Sequence, residues 1–109
     1  MKLLIITSLK EYQEAVGQIL EKAGVKVFSA SDTTGFKNVN DDNLADNWFA
    51  RTRERAESIF LFSFTQSENA TRALNLIRQF NDENHTGFPV RAFVVPVENA
   101  SDMQGVNAP

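Results

Sequence analysis

The chain has 109 residues, of which 42% are hydrophobic and 23% are charged, and its formal net charge is −3. These values are typical of one globular domain, and they exclude a mainly disordered chain and the basic surface that duplex nucleic acid requires. Cysteine is absent, which excludes disulfides, thiolate metal sites and cysteine nucleophiles.

The N-terminal segment predicts a strand and not a targeting signal. Lys2–Ser8 is rich in apolar and β-branched residues and contains no turn residue. Its apolar run, Leu3–Ile6, is too short for a signal peptide or a membrane span. We therefore expect a cytoplasmic protein.

A helix is predicted after Leu9, because apolar residues then recur at helical spacing. They are Tyr12, Ala15, Val16, Ile19, Leu20 and Ala23. Gly24 follows at once, which is typical of a helix end in the left-handed conformation. A second strand is predicted from Val25 to Thr33 or Thr34.

The stretch from Gly35 to Arg55 is long for a connection in so small a domain. Its first half, Lys37–Asn47, is polar and rich in asparagine and aspartate. Because loops of this length tend to be functional or disordered, we expect recognition to be concentrated here.

The second half of that stretch, Trp48–Ala56, permits two interpretations. As a strand it places Arg51, Arg53 and Arg55 on one face. As a short helix it places Trp48 beside Arg51 or Arg55. The strand is favoured, because it continues into the next apolar segment without a break.

The remaining elements are a third strand, a second helix and a fourth strand. The third strand covers Ile59–Thr65, and Ser67 is predicted as the N-cap of the helix. The apolar stripe of this helix consists of Ala70, Ala73, Leu74, Ile77 and Phe80. The last strand, Val90–Val97, contains Pro96 near its end, which indicates an edge or strand-end position.

Four strand-like segments are apolar at odd and even positions alike. They are Leu3–Ile6, Val25–Ala30, Ile59–Phe64 and Ala92–Val97. Since successive side chains point to opposite faces, such strands need both faces covered. Two helices cover one face of a four-stranded sheet, and the other would remain an exposed apolar patch that soluble monomers rarely tolerate.

The order strand, helix, strand, strand, helix, strand predicts an α+β, ferredoxin-like βαββαβ sandwich. It has a four-stranded antiparallel sheet with two helices on one face, and further copies of the chain cover the other. We expect one domain over residues 1–100 and a mobile tail over residues 101–109.

Few residues suggest catalysis or metal binding. The single histidine, His85, lies in a predicted loop without a nucleophile to activate. The spacing of Asp41, Asp42 and Asp46 fits no calcium-loop template, and the glycines form no phosphate-binding loop. We therefore expect neither an enzyme nor a dedicated metal site.

Two side-chain patterns suggest surfaces. The alternating arginines suit an anionic ligand or partner, or else pair with nearby acids. Phe60, Phe62 and Phe64 lie on one face of the third strand. Because their neighbours are aliphatic and not basic, packing in the core or between subunits explains these rings better than RNA stacking. No nucleic-acid partner is expected.

Two motifs resemble those of the PII signalling family. Gly35-Phe36 closes the second strand before a long loop, where the family has G-F-G-R-Q-K-G before its protruding T-loop. Thr86-Gly87 and the ending Phe93–Glu98 are similar to parts of the family's T-G-x-I-G-D-G-K-I-F-V-x-P-V. The resemblance covers residues 1–100.

Members of that family form trimers whose sheets face inward, bind adenine nucleotides in clefts between subunits, and engage transporters, channels or enzymes through the T-loop. The resemblance implies a cytoplasmic homotrimeric sensor or adaptor without enzymatic activity. The 35–55 segment would be its T-loop-like docking element, and a membrane transporter or another regulated protein would be its partner.

The resemblance also implies site residues, with Arg91 standing where the family has a phosphate-binding lysine. The candidate ligand-binding residues are Gly35, Phe36, Lys37, Asn38, Thr86, Gly87 and Arg91. The candidate residues for a partner or an anion are Arg51, Arg53, Arg55 and Trp48.

The chain departs from the family mainly at charged positions. Val39 and Asn40 replace the family's glutamine and lysine, and the G-D-G segment and the basic C-terminal R-x-R are missing. These losses remove much of the phosphate-neutralising charge. The sequence therefore leaves two classes of effector, an adenine nucleotide or another small anion. Two alternatives stay open as well: a CutA-like trimer that binds divalent metal, and a small dimeric α+β barrel enzyme.

Overall fold

The computed structural model describes residues 1–38, 53–85 and 87–102, with the main chain alone at residues 37, 38, 53 and 54. In chain order, the elements are β1 (Lys2–Leu9), a 3₁₀ turn (Lys10–Tyr12), α1 (Gln13–Lys22), β2 (Ser29–Asn38), β3 (Arg53–Thr65), α2 (Ser67–Glu83) and β4 (Arg91–Pro96). The strands form one antiparallel sheet in the order β2-β3-β1-β4. The predicted ferredoxin-like α+β arrangement is therefore confirmed.

The core lies between the two α-helices and one face of the sheet. This face carries the even-numbered residues Leu4 and Ile6 of β1 and the odd-numbered residues Ile59 and Leu61 of β3. They share a face because each even-numbered residue of β1 pairs with an odd-numbered residue of β3. The apolar stripes of both helices pack against it. The buried stripe residues are Val16, Leu20, Ala23, Ala70, Ala73 and Ile77. The predicted stripes are thus confirmed at these buried positions, but in α2 the partly buried residue that packs against the core is Leu76 and not the predicted Leu74.

The opposite face of the sheet, here called the open face, is apolar and has no helix over it in the described part of the chain. Large side chains on it are substantially exposed. They are Phe62 (37%), Phe64 (48%), Phe93 (50%) and Val95 (41%). The rings of Phe60, Phe62 and Phe64 follow one another along β3, with centroids 6.1 and 6.3 Å apart. These rings lie on the open face and not in the core of the protomer.

The second strand begins later than predicted. β2 starts at Ser29, not Val25, and the residues from Ser29 to Thr34 are exposed. Gly24 adopts a φ of 85°, as predicted for a helix end, and turns the chain so that Val25 fills the core. The apolar residues before Ser29 therefore belong to the connection after α1, and β2 is not apolar on both faces.

The predicted 35–55 loop is partly strand. β2 continues to Asn38 and β3 begins at Arg53, and the two strands pair without interruption from Ser29↔Phe62 to Asn38↔Arg53. β1 pairs with β3 only as far as Leu9↔Ser58. Residues 34–38 and 53–57 therefore form a two-stranded projection, here called the arm. The strand interpretation is confirmed for Arg53–Ala56, which runs into the apolar part of β3 without a break.

Two element ends also differ in detail. Ser67 is the first residue of α2, and the N-cap is Gln66, which makes no side-chain capping bond. β4 ends at Pro96, as expected for a proline at a strand end.

Some predicted positions lie outside the described residues. They are Trp48, Arg51, Thr86 and the predicted tail from Met103 onward.

One asparagine fixes the connection between α2 and β4. The Nδ2 of Asn81 donates to the carbonyl of Val90 at 2.7 Å, and the amide of Val90 donates to Asn81 Oδ1 at 3.0 Å. Val90 is buried, at 3% exposure. Both of its buried backbone groups are thus paired by one side chain, which sets the start of β4.

Among the described residues, no helix is long and apolar enough to span a membrane.

Replacing Asn81 by leucine should destabilise the fold. The change leaves two buried backbone groups of Val90 without partners, and each such group costs about 1–3 kcal/mol. We expect urea unfolding at fixed protein concentration to give a loss of about 2 kcal/mol or more. Asn75→Leu on the exposed side of α2 is the control, and it should change stability by about 0.5 kcal/mol at most. Equal urea midpoints for the two variants would show that the hydrogen bonds between Asn81 and Val90 do not stabilise the fold.

Candidate functional site

A cleft of about 480 Å³ opens at one end of the sheet. Its walls are the end of β1 (Thr7–Leu9), the segment Thr33–Phe36 of β2, and the loop Gly87–Pro89. Ser58 of β3 and Arg91, the first residue of β4, complete the lining. The cleft exists at this end because β1 and β4 pair antiparallel, so that β4 starts where β1 finishes.

Hydroxyl groups and one cation line much of this cleft. Thr7, Thr33, Thr34 and Ser58 present hydroxyls along the strand ends. Arg91 is exposed and pairs across the sheet with Thr7, and it is the one ionisable residue among those that line the cleft in the described chain. Hydroxyl donors around a guanidinium favour a small anion, since charge-assisted hydrogen bonds to carboxylate or phosphate are the strong ones.

Aromatic and apolar side chains provide a second kind of surface in the cleft. They belong to Leu9, Phe36, Phe88 and Pro89. Phe36 is 56% exposed, and the guanidinium carbon of Arg55 lies 5.6 Å from the centroid of its ring. A planar ligand group could therefore pack against an aromatic ring beside a second cation at the base of the arm.

Gly35 allows close approach between two strands at this cleft. A Cβ atom at this position would lie 3.1 Å from the hydroxyl oxygen of Ser58 and 3.7 Å from the carbonyl of Ala56. The Ser58 hydroxyl itself donates to the carbonyl of Ala56 at 3.1 Å. A side chain at position 35 would therefore require the Ser58 hydroxyl to shift slightly, at the point where the arm leaves the sheet.

Several of the residues predicted as ligand-binding come together in this cleft. Gly35, Phe36, Gly87 and Arg91 all line it, although up to 56 positions separate them in sequence. The backbones of Lys37 and Asn38 continue β2 into the arm. These placements make the cleft a coherent candidate site, and ligand binding by these residues stays a prediction.

The residues predicted for a partner or an anion are only partly placed. Arg53 and Arg55 lie two positions apart in β3. Arg55 is exposed beside Phe36. The predicted row of arginines thus begins on the arm, next to the cleft.

Sequence reasoning missed the hydroxyl residues and the ring of Phe88. Thr33 and Thr34 stand directly before Gly35, and Thr7 stands near the end of the first strand. Their positions near strand ends are compatible with a shared site, since the predicted strand order brings these ends together. Without coordinates, nothing in the sequence distinguishes them from ordinary solvent-facing residues.

Neither metal ligands nor a catalytic pair is found in the described part of the chain near this site. No group of three histidine or carboxylate side chains there could hold a metal ion. His85 is exposed and does not line the cleft. The described geometry offers binding groups and no arrangement for general acid and base catalysis.

No family model and no curated protein matches the chain. Solved structures do match in fold. GlnK from B. subtilis in complex with ATP aligns with a TM-score of 0.69 at 12% identity, over 96% of this chain and 90% of that one. CPII, a nitrogen regulatory PII-like protein from Thiomonas intermedia bound to ADP, AMP and bicarbonate, aligns with a TM-score of 0.59 at 16% identity, over 91% and 93%.

A third solved structure has a similar fold. The periplasmic divalent cation tolerance protein CutA from Archaeoglobus fulgidus aligns with a TM-score of 0.60 at 16% identity, over 98% of this chain and 93% of that one. The resemblance predicted from the sequence is therefore confirmed in fold: this chain has the ferredoxin-like fold that PII-like proteins share with CutA.

Proposed function

We propose that this protein is a PII-like homotrimeric sensor or adaptor. It binds a small anionic effector in the cleft beside Arg91 and regulates a partner through the 35–55 segment. The partner is a membrane transporter or another regulated protein, the location is cytoplasmic, and the protein is not an enzyme. The observation that carries the proposal is the cleft itself, which joins Arg91 to the base of the arm.

The position of the cleft gives a route from ligand to partner. Gly35 and Phe36 line the cleft and also pair with Ala56 and Arg55 at the start of the arm. A ligand that contacts Arg91 and this pair of β2 residues would bias the direction of the arm. Ligand-dependent ordering or reorientation of a projecting segment is a common switching device. The 35–55 segment would then present different surfaces with and without effector.

The effector class follows from the lining residues. Among the described lining residues, the one ionisable group is cationic, and hydroxyl and aromatic side chains line the same cleft. This favours a carboxylate, a bicarbonate-like anion or a phosphate, and the ring of Phe36 suits a nucleoside group. The similar structures of GlnK with ATP and of CPII with ADP, AMP and bicarbonate support testing adenine nucleotides and bicarbonate as effectors.

The open face supports self-association. Four large apolar side chains on it, two on β3 and two on β4, are between 37% and 50% exposed. Leu3 and Ile5 of β1 pair with all four and join them into one apolar surface. Contiguous apolar patches of this kind on soluble proteins usually mark an interface. Three copies with their sheets turned toward a common axis would cover the face and enclose the cleft near β2 between neighbours.

Arg91→Gln should weaken anion binding. Loss of a charge-assisted contact costs about 1.5–3 kcal/mol, which corresponds to about 10-fold to 150-fold in affinity. The measurement is calorimetric titration with ATP, ADP, AMP, bicarbonate and inorganic phosphate, preceded by a thermal-shift screen of the same probes. Arg78→Gln is the matched control, because Arg78 lies on the outer side of α2 with Asn75 as its partner.

Each result of that screen has a defined meaning. The proposal requires at least one anion to stabilise the unmodified protein and Arg91→Gln to reduce its affinity while Arg78→Gln does not. If Cu²⁺ or Zn²⁺ stabilises the protein and no anion does, the CutA-like alternative replaces the sensor. Equal anion affinities in the two variants would place the ligand elsewhere.

Phe62→Glu should break the trimer. Phe62 lies in the middle of the open face with its ring between those of Phe60 and Phe64, and a buried carboxylate there would be unpaired. Light scattering should give three times the 12.2 kDa protomer mass for the unmodified protein and a smaller species for the variant. Gln18→Glu adds the same charge on exposed α1 and should leave the mass unchanged.

Other masses would contradict the proposal. A monomeric unmodified protein would mean that the open face is covered by something other than copies of this chain. A stable dimer would favour the dimeric α+β barrel enzyme instead.

A further inference from the structure

A small pocket lies at the C-terminal end of β3, at the end of the sheet opposite the cleft. Its volume is about 130 Å³, compared with about 480 Å³ for the cleft. Its walls come from the end of β3, the start of α2 and the connection after α1. The lining residues are Gly24, Lys26, Val27, Ser63, Phe64, Thr65, Gln66 and Asn69. None of these residues lines the cleft, so this pocket is a separate place on the protomer.

The N-terminus of α2 forms one wall of this pocket, through Gln66 and Asn69. The helix begins at Ser67, and the amide of Ala70 donates to the carbonyl of Gln66 at 3.1 Å as its first helical bond. The amides of residues 67–69 therefore have no partner within the helix. The side chain of the N-cap, Gln66, makes no capping bond to them. The first turn of this 17-residue helix thus presents backbone donors and a partial positive charge.

Thr65 gives a second and independent indication of a ligand. This residue lies on the helix-facing side of β3 and is only 4% exposed. Its hydroxyl makes no hydrogen bond to another described residue, whereas every polar side-chain atom that is sealed from solvent in the described chain has a partner. The hydroxyl must therefore open into the pocket that Thr65 lines. Buried polar groups normally have a partner, so a ligand or a water is expected at this hydroxyl.

Two other polar side chains of the pocket are already paired. The hydroxyl of Ser63 donates to the carbonyl of Val27. The Nδ2 of Asn69 donates to the carbonyl of Gly24 at 3.3 Å, and its Oδ1 accepts from the guanidinium of Arg72 at 2.9 Å. These bonds hold the connection after α1 against β3 and the first turn of α2. The walls of the pocket are therefore fixed before any ligand enters.

The charges around the pocket favour an anion. Lys26 lines it, is exposed, and makes no ion pair within the described chain. Arg72 is held beside the pocket by its bond to Asn69. The opposing charge is Glu68 in the first turn of α2, which is exposed and is not among the lining residues. Two cations and the positive end of the helix thus act against one exposed carboxylate.

We propose that this pocket binds a small tetrahedral oxyanion of the phosphate or sulfate type. The amides of residues 67–69 and the hydroxyl of Thr65 donate to its oxygens, and Lys26 neutralises its charge. A nucleotide does not fit, since sites for ligands of that size usually measure about 300–1,000 Å³. This site is additional to the proposed effector cleft, and neither site depends on the other.

Heteronuclear NMR titration with inorganic phosphate tests the site on the unmodified protein. Phosphate should shift the amide signals of residues 67–69 and of Lys26 along a saturating curve, and sulfate should shift the same signals. Sodium chloride at matched ionic strength is the control, and it should not. Shifts that grow linearly with phosphate, or equal shifts with chloride, would overturn the inference.

Two variants test the side chains that define the site. Thr65→Val removes the hydroxyl and keeps the shape, and it should weaken phosphate binding by about 10-fold or more, as expected for one hydrogen bond to a charged group. Lys26→Gln should have a similar effect. Lys22→Gln is the matched control, because it removes the same charge from the exposed last turn of α1, and it should leave the affinity unchanged.

The urea midpoint of Thr65→Val provides a separate check. Since the hydroxyl has no partner in the described chain, its removal should not lower the midpoint. A lower midpoint would show that the hydroxyl is paired within the protein, and it would overturn the inference. Shifts at residues 67–69 that keep full affinity in Thr65→Val and Lys26→Gln would overturn it too, because they would reflect general attraction to the helix terminus.

Arg91→Gln separates this site from the proposed effector cleft. This variant should leave the phosphate shifts at residues 67–69 unchanged. Phosphate shifts confined to residues 87–91, and lost in Arg91→Gln, would overturn the second site and leave the proposed function intact. Saturating shifts at residues 67–69, with no anion bound at the cleft, would support the second site and contradict the proposed function.

Discussion

The structure depends on one constraint: a four-stranded sheet carries apolar side chains on both faces, while the helices of the described chain pack on only one of them. The covered face holds Leu4, Ile6, Ile59 and Leu61, which α1 and α2 bury almost completely. The other face keeps Phe62, Phe64, Phe93 and Val95 substantially exposed. Burial of apolar side chains is worth about 1.5–3 kcal/mol each, so covering this face would supply a large driving force for association.

If association uses the open face, recognition is left to the ends of the sheet and to the arm. The cleft at the start of β4 has one ionisable residue among its described lining residues, Arg91, and this cation would favour an anionic ligand. It shares Gly35 and Phe36 with the base of the arm. A ligand bound in this cleft would therefore lie next to the base of the arm, and under the proposed function a signal would not need to cross the core.

Contacts made by a few individual residues set the geometry of the end of the sheet where the cleft opens. Asn81 holds both backbone groups of Val90, and Arg91 follows immediately as a cleft residue. Gly35 permits the close approach of Ser58 on the neighbouring strand. After the C-terminal end of α1, the positive φ of Gly24 turns the chain so that Val25 packs in the core before β2 starts. These residues position the strands, and the strands position the cleft.

Local periodicity in the sequence determined the class of fold, the two helical stripes, the glycine that ends α1, and the uncovered apolar face, because each depends on the alternation of a single element. The pairing of β2 with β3 into an arm was decided by tertiary structure, since polar strand residues such as Lys37 and Asn38 look like a loop until their partner strand is known. The start of β2 at Ser29 and not Val25 was decided in the same way, by the core cavity that Val25 fills. The cleft depends on bringing Thr7, Gly35, Ser58 and Arg91 to one end of the sheet. Such proximity follows from strand order and register, which no local pattern in the chain encodes.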